Sequence, residues 1–180
     1  MIGRLINRIM FQFYLIKTMT IWVVMGISGS GKSTIGKELA DKLHYEFIEG
    51  DDFHPKCNIE KMKSGVALTD NDRMGWLNGL RAKIIVGYVN KVNIIVTCSA
   101  LKESYRKILR GNTTCVKFIY LKGSYDVIKK RLELRKGHFF DINLLWNQLD
   151  TLEEPIDAIC INADNDVDSI VTEIINKVNT

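Results

Sequence analysis

A glycine-rich segment, Gly26–Thr34, constrains the fold of this 180-residue chain more than any other feature. Its sequence, GISGSGKST, satisfies the pattern GxxxxGK[ST], and an apolar run over residues 21–25 precedes it directly. Ile35, Leu39 and Leu43 follow at helical spacing. A strand, a glycine loop and a helix in this order predict a loop whose main-chain N–H groups surround a phosphate, with the positive end of the helix behind it.

The residue types in this loop predict how it would hold a nucleotide. Lys32 would place a mobile positive charge on the β- and γ-phosphates of ATP, and the Ser33 hydroxyl would ligate Mg²⁺. The glycines allow the backbone to turn successive amides inward. The expected nucleotide site is therefore Gly26, Ile27, Ser28, Gly29, Ser30, Gly31, Lys32, Ser33 and Thr34. The loop predicts ATP or GTP binding and leaves the phosphate acceptor open.

The rest of the chain alternates strands with helices. Apolar runs bounded by turn residues predict strands at 21–25, 45–48, 93–98, 116–121 and 156–161. Helical patterns fall at about 33–43, 57–64, 71–90, 102–110, 124–136, 143–152 and 167–178. This alternation predicts an α/β fold in three layers, a parallel sheet with helices on both faces, and a ligand site at the carboxyl ends of the strands.

The net charge of +4 is concentrated near the N terminus. Arg4, Arg8 and Lys17 supply three of these charges, and the remainder of the chain is close to neutral. Nucleic-acid binding requires a surface that neutralises several phosphates, so we expect no nucleic-acid partner. The apolar runs are well short of the roughly 20 residues that span a bilayer, so we expect no membrane partner.

Residues 1–18 differ in composition from the rest. Their apolar residues recur at spacings of three, four and seven and predict an amphipathic helix with three basic residues. A presequence, a membrane-surface helix, or an upstream start codon with Met19 as the working start would each explain this pattern. We expect a nonessential extension over 1–18, followed by one domain over 19–180.

The four cysteines do not form a recognisable metal or disulfide pattern. Cys57, Cys98, Cys115 and Cys160 include no CxxC pair, and a chain of this length needs no disulfides for stability. We expect reduced thiols in a cytoplasmic protein, with Cys98 and Cys160 in core strands. His54 and Cys57 form an isolated HxxC, too few ligands for structural zinc.

Carboxylates follow the second predicted strand, in the sequence EGDDFHP over residues 49–55. Asp51 is the expected general base, which would accept the proton of an attacking hydroxyl or order a water on Mg²⁺. Asp52 is the alternative, because adjacent side chains diverge and only one should face the site. Either aspartate would also suit a loop cap.

Several basic residues could hold an anion. Arg73, near the start of the long predicted helix, either clamps an anionic substrate or pairs with a neighbouring acid. Lys102, Arg106 and Arg110 recur every four residues and predict one basic stripe, a second possible anion site. The third strand is followed by Cys98 without an aspartate, so a standard Walker B carboxylate is missing.

Arg131 and Arg135 lie one helical turn apart, immediately before the sequence KGHFF over 136–140. Two arginines on one helix face beside a glycine predict a lid, at about 135–145, that closes over phosphates; a solvated surface is the alternative. Arg131 would then stabilise charge on the transferred phosphoryl group. His138 is expected to contact the lid or the substrate.

Longer motifs resemble those of the gluconokinases, small P-loop carbohydrate kinases related in fold to shikimate and adenylate kinases. The resemblance runs from about Ile21 to the C terminus, through MGISGSGKST, EGDDFHPKCNIEKMKSGVALTDNDRMGWL, IIVTCSALKESYRKILR, FIYLKGSYDVIKKRLELRKGHFF and LLWNQLDTLEEP. It implies a P-loop NTPase fold with a five-stranded parallel sheet of order 2-3-1-4-5 and a small lid. It also implies ATP-dependent phosphorylation of D-gluconate to 6-phosphogluconate, usually by a homodimer.

The resemblance assigns roles by position. It places Lys32 and Ser33 at ATP and Mg²⁺, Asp51, His54 and Arg73 on the substrate side, and Arg131, Arg135 and His138 in the lid. From the lid, we expect Arg131 to contact ATP, and Arg135 and His138 to contact the substrate. The chain departs from the family's pattern at Gly75, where proline is usual, and at Asn147, where serine or threonine usually precedes Gln148. Both departures lie toward the acceptor side and bear on substrate affinity.

Two other functions are compatible with the phosphate loop. One is a kinase of the same fold acting on shikimate or a nucleotide. The other is a P-loop module that senses nucleotide without turnover. Asp51 and the paired arginines argue against a sensor, because a sensor needs neither a general base nor a lid that excludes water.

Overall fold

The structure is a computed structural model that describes residues 19–134 and 142–179. One parallel sheet has the strand order β2-β3-β1-β4-β5, which confirms the predicted topology. Its strands are β1 (Ile21–Met25), β2 (Glu46–Ile48), β3 (Ile94–Thr97), β4 (Val116–Lys122) and β5 (Ala158–Asn162). Every residue of the central strand β1 is buried, as expected for a strand covered on both faces.

Helices connect the strands within the described residues. They are α1 (Lys32–Leu43), α2 (Lys56–Lys63), α3 (Asp70–Asn90), α4 (Glu103–Arg110), α5 (Tyr125–Glu133), α6 (Ile142–Thr151) and α7 (Val167–Val178). A 3₁₀ helix, Gly50–Phe53, follows β2 and was not predicted. The predicted continuation of α5 to residue 136 and most of the expected lid lie outside the described residues, as do residues 1–18.

Two apolar clusters cover the two faces of the sheet. On one face, Val23 and Met25 pack with Leu77 and Leu80 of α3 and with Tyr105 of α4. On the other, a second cluster joins β1 to α1 and α7 through Val24, Ile35, Leu39, Ile170 and Ile174. Alternate residues of β1 point to opposite faces, so the strand contributes to both clusters and the domain has three layers.

The start of α3 is fixed by a capping box. The Thr69 hydroxyl accepts from the Asp72 amide at 3.2 Å, and the Asp72 carboxylate accepts from the Thr69 amide at 2.9 Å. Farther along, the Trp76 indole N–H donates to the carbonyl oxygen of Gly50 at 2.7 Å. The long helix is therefore attached to the 3₁₀ helix that carries Asp51.

Some predictions at the sheet edge were wrong. Cys160 is exposed because β5 is an edge strand, whereas Cys98 is fully buried. Strand β5 begins at Ala158 rather than 156, because residues 156 and 157 form a bend after Pro155. All four cysteines are unpaired. Within the described residues, no helix is both long enough and apolar enough to cross a membrane.

Candidate active site

The phosphate loop connects β1 to α1 in a conformation that requires glycine. Gly26 and Gly31 have φ angles of +144° and +95°, which L-residues rarely adopt. A Cβ on Gly26 would lie 2.9 Å from the carbonyl oxygen of Leu121 and 2.8 Å from the Ser30 hydroxyl oxygen. The loop therefore passes against the end of β4 with no room for a side chain at Gly26.

The loop offers an unpaired hydroxyl, a cation and a helix N terminus to an anion. Ser30 Oγ is buried and has no hydrogen-bond partner among the described residues. The Lys32 ammonium group lies over the loop and donates to the carbonyl oxygen of Ile27 at 3.1 Å. The first turn of α1 contains no acidic residue, so the positive end of the helix dipole is not cancelled there. These features fit a bound polyphosphate.

The donor set for Mg²⁺ is sparse. No cluster of three His, Cys, Asp or Glu side chains suited to a metal lies within residues 19–134 and 142–179. Strand β3 ends at Thr97, whose hydroxyl donates to the Glu49 carboxylate and accepts from the Gly50 amide at 3.1 Å. This arrangement fits Mg²⁺ held by Ser33, nucleotide phosphates and water, the usual way in which kinases bind this ion.

The 3₁₀ helix after β2 is packed tightly onto the end of β3. A Cβ on Gly50 would lie 1.9 Å from the carbonyl oxygen of Thr97, so only glycine fits. The His54 ring stacks on the Trp76 indole, with centroids 4.1 Å apart and planes 19° from parallel. Trp76 therefore contacts this turn in two ways: its ring stacks on His54, and its N–H donates to Gly50.

The charges of Asp51, Lys32 and Arg73 all act on Cys98, which directly follows β3. Burial raises the pKa of the Cys98 thiol to about 12, the negative charge of Asp51 adds to the rise, and Lys32 and Arg73 oppose it. Asp51 and Asp52 are both exposed. The charge of Asp51 therefore acts on the end of β3 that faces the phosphate loop.

His54 lies within the same group of charges. Burial lowers its pKa, the neighbouring charge of Asp51 opposes this, and Arg73 lowers the pKa further. His54 is therefore neutral at pH 7, since its ordinary pKa is already about 6.5. Its Nδ1 atom is buried with no hydrogen-bond partner among the described residues.

The Arg73 side chain is poised to bind an anion. It is 9% exposed, and its guanidinium carbon lies 5.8 Å from the centre of the Tyr105 ring. No described carboxylate forms an ion pair with it. The Asp70 carboxylate, at the start of the same helix, instead accepts from Lys102 at 2.8 Å and from the Tyr105 hydroxyl. A buried, unpaired guanidinium is costly, which favours a bound anion at this position.

The basic stripe on α4 does not form an anion site. Arg106 is only 2% exposed and donates to the carbonyl oxygens of Ala100 and Leu101 at 3.0 and 3.1 Å. It also pairs with Glu103 at 2.8 Å. Arg110 pairs with Asp157. The prediction was wrong because helical spacing alone cannot show that these cations are already neutralised inside the fold.

Arg131 lies on the nucleotide side of the site. It lines a cavity of about 180 Å³ together with Ser30, Gly31, Thr34, Ile35, Asn165, Val167 and Ile170. Its guanidinium donates to the carbonyl oxygen of Asn165 at 3.5 Å. Sequence reasoning missed Asn165 and Val167, although the carboxyl end of β5 was a place to search. The partners predicted for Arg131 on the lid, Arg135 and His138, lie outside the described residues.

Gln148 was also missed as a site residue. Its side-chain carbonyl oxygen accepts a hydrogen bond of 2.7 Å from the Ser28 amide in the phosphate loop. The two residues are 120 positions apart in the chain. No local pattern in the sequence indicates this contact.

Residues 28–179 match the sequence model of the family described as shikimate kinase. The chain is also 46% identical, over 163 residues, to the thermoresistant gluconokinase of Escherichia coli (strain K12). That similarity covers 88% of this chain and 93% of its relative.

Two solved structures are similar along nearly their full length. The unliganded structure of a sugar kinase from Janibacter sp. HTCC2649 has a TM-score of 0.83 and 40% identity, and covers 89% of this chain and 95% of its own. A gluconokinase from Sinorhizobium meliloti 1021 has a TM-score of 0.81 and 39% identity, with coverages of 90% and 92%.

Proposed function

The chain belongs to the gluconokinases, within the wider shikimate kinase family, and on that basis we propose that it transfers the γ-phosphoryl group of ATP to the 6-hydroxyl of D-gluconate. The observation that supports the proposal is the buried Arg73 guanidinium, which has no ion-pair partner among the described residues and lies on the helix that Trp76 attaches to the Asp51 turn. In this proposal Asp51 is the base, Lys32 is the phosphate-binding cation and Arg73 is the guanidinium that holds the acceptor. A nucleotide sensor would need only the second of these groups.

The first step is alignment of the two substrates. The phosphate loop and Lys32 hold the triphosphate, and the Asp51 carboxylate accepts the proton of the attacking hydroxyl. The oxygen–hydrogen bond of the 6-hydroxyl breaks as its oxygen bonds to the γ-phosphorus, and ADP leaves in line. Most of the catalysis then comes from positioning and from stabilising charge on the transferred group.

Arg73 is the proposed partner of the gluconate carboxylate. Its guanidinium is buried, has no ion-pair partner among the described residues, and matches a carboxylate in a planar two-bond arrangement. His54 is neutral and has an unpaired ring nitrogen, which suits a substrate hydroxyl. By position in the family's motif, we also assign Arg135 and His138 to substrate contacts.

The cation and the nucleotide base complete the site. We assign Mg²⁺ to Ser33, with Asp51 contacting it through water, and the metal would neutralise charge on the β- and γ-phosphates. Arg131 contacts the phosphoryl groups in this proposal. The cavity beside Gly31, Thr34 and Asn165 would take the purine base, since its apolar lining from Ile35, Val167 and Ile170 suits an aromatic ring.

We further propose a cytoplasmic homodimer in which residues 1–18 are nonessential. Four unpaired cysteines are consistent with a reducing compartment. Ile85, Val86 and Val89 on α3 are between 44% and 69% exposed and form an apolar face that suits a second copy. Met19 packs against the core, which supports a domain that begins there. Deleting residues 1–18 should leave kcat unchanged.

The experiment that tests the function is ADP release with and without gluconate. Wild-type protein with ATP and Mg²⁺ should release ADP only when gluconate is present, and one phosphorylated product should form for each ADP. Lys32→Ala should abolish this transfer and remain folded, because the two apolar clusters that cover the sheet do not include Lys32. Gluconate-independent ADP release, or equal activity in Lys32→Ala, would contradict the proposal.

A further inference from the structure

Gln148 lies on the inner face of α6, between leucines. Leu145, Leu149 and Leu152 lie on the same helical face, at spacings of three and four, and pack in an apolar cluster. The rest of that cluster comes from the phosphate loop, the loop after β3 and α5, through Ile27, Leu101, Ile128 and Leu132. An amide inside an apolar stripe is unfavourable unless its polar atoms are satisfied.

The hydrogen bond to Ser28 determines how the Gln148 amide is oriented. A main-chain N–H can only donate, so the atom 2.7 Å from the Ser28 nitrogen must be the carbonyl oxygen Oε1. The NH₂ group is bonded to the same carbon and therefore also lies at the phosphate loop. No described residue accepts a hydrogen bond from that NH₂ group. Gln148 thus has two N–H donors beside the loop with no acceptor among the described residues.

We propose that Gln148 is a further residue of the phosphoryl-transfer site. Its Oε1 holds the Ser28 amide in place, and its NH₂ group donates to an oxygen of the terminal phosphoryl group of bound ATP. The inference rests on the function proposed above. It adds a donor from α6 to the loop amides and Lys32, on a helix whose position is fixed by its leucines.

The donor matters most while charge develops on the transferred group. A hydrogen bond to a charged phosphoryl oxygen is stronger than one to a neutral group, and it strengthens as the bond to ADP breaks. Gln148→Met keeps the length and the apolar contacts of the side chain and removes both polar atoms. Its kcat should fall about 10- to 100-fold, the range expected for one lost hydrogen bond to a charged group.

Gln148→Glu removes the N–H donor but keeps an acceptor for the Ser28 amide. A carboxylate oxygen accepts from the Ser28 amide as well as Oε1 does, so the loop and the helix remain joined. The variant has no N–H donor and places a negative charge near the phosphates. Its activity relative to wild type should rise as the pH is lowered, because the protonated carboxyl again donates a hydrogen bond and no longer repels the phosphates.

The test compares steady-state kinetics of wild type, Gln148→Met, Gln148→Glu and the control Asp150→Asn. Asp150 is an exposed residue of the same helix and should tolerate the change. The expected result is a loss of kcat in Gln148→Met, a small change in the KM for gluconate, and a normal Asp150→Asn enzyme.

A Gln148→Met enzyme with wild-type kcat, whatever its thermal stability, would overturn the inference. Gln148 would then only join α6 to the phosphate loop. If Gln148→Met does not fold, the pH profile of Gln148→Glu decides, and a profile parallel to that of wild type overturns the inference. Wild-type protein that is inactive on gluconate would instead contradict the proposed function, so the two failures are distinguishable.

Discussion

The indole N–H of Trp76 donates to the main-chain carbonyl oxygen of Gly50 at 2.7 Å. Trp76 belongs to α3, and Gly50 begins the 3₁₀ helix that carries Asp51. The two elements also meet where His54 stacks on the same indole. One side chain therefore determines where the acceptor-side residues lie relative to α3, which also carries Arg73.

Trp76→Phe tests this relationship. The substitution removes the donor and part of a fully buried ring, and should lower the free energy of unfolding by about 1–3 kcal/mol. Because the 3₁₀ helix loses its attachment, the KM for gluconate should rise more than the KM for ATP. Urea denaturation and both Michaelis constants are the measurements. Trp146→Phe, at a position 55% exposed, is the control and should change neither quantity.

Asp51→Asn and Asp52→Asn form a matched pair of adjacent, exposed carboxylates. Asp51→Asn should lower kcat by about 10²–10⁴, the range for a lost general base, with little change in the KM for ATP. Asp52→Asn should retain most of its activity, because the proposal assigns proton transfer to Asp51, whose charge acts on both Cys98 and His54. A larger loss of kcat in Asp52→Asn would reverse the assignment of the base.

Arg73→Ala should raise the KM for gluconate by about 10- to 100-fold, because a charge-assisted pair with the carboxylate is lost. The KM for ATP should stay nearly constant. Arg73→Lys should recover part of the affinity, since a point charge cannot reproduce the two-bond arrangement. An unchanged KM for gluconate in Arg73→Ala would mean that the carboxylate is bound elsewhere.

Gly75→Ala should stabilise the protein. Gly75 lies within α3, and a Cβ there would meet nothing within 4 Å, so alanine should gain about 0.5–1 kcal/mol from helix propensity. Gly87→Ala in the same helix is the opposite control. Its Cβ would lie 2.1 Å from Ile94 Cδ1, so overpacking should cost about 1–3 kcal/mol. Urea denaturation of both variants measures the difference.

The order of strands and helices could be predicted from local patterns. Short apolar runs bounded by turn residues indicated strands, and apolar residues at helical spacing indicated helices. The phosphate loop could be predicted because its glycines and Lys32 are adjacent in the sequence. The sheet order came from the resemblance to the family, not from the apolar runs themselves.

Other parts of the site depend on contacts between distant residues. No local sequence pattern indicates three of its hydrogen bonds, which join Ser28 to Gln148, Trp76 to Gly50 and Arg131 to Asn165. Helical spacing also gave a false anion site, because Arg106 pairs with Glu103 and donates to carbonyl oxygens of the preceding loop. Spacing describes one element, whereas burial and pairing depend on its neighbours.

The central claim is that this site phosphorylates gluconate in preference to other acceptors. Its most direct test is a competition in which limiting ATP and Mg²⁺ are given to the wild-type protein with equal concentrations of gluconate, glucose, shikimate and AMP. Phosphorus NMR and mass spectrometry identify the products. The account predicts 6-phosphogluconate as the main product, because glucose lacks the carboxylate that Arg73 would bind. Phosphoshikimate or glucose 6-phosphate as the main product, or consumption of AMP in place of gluconate, would contradict it.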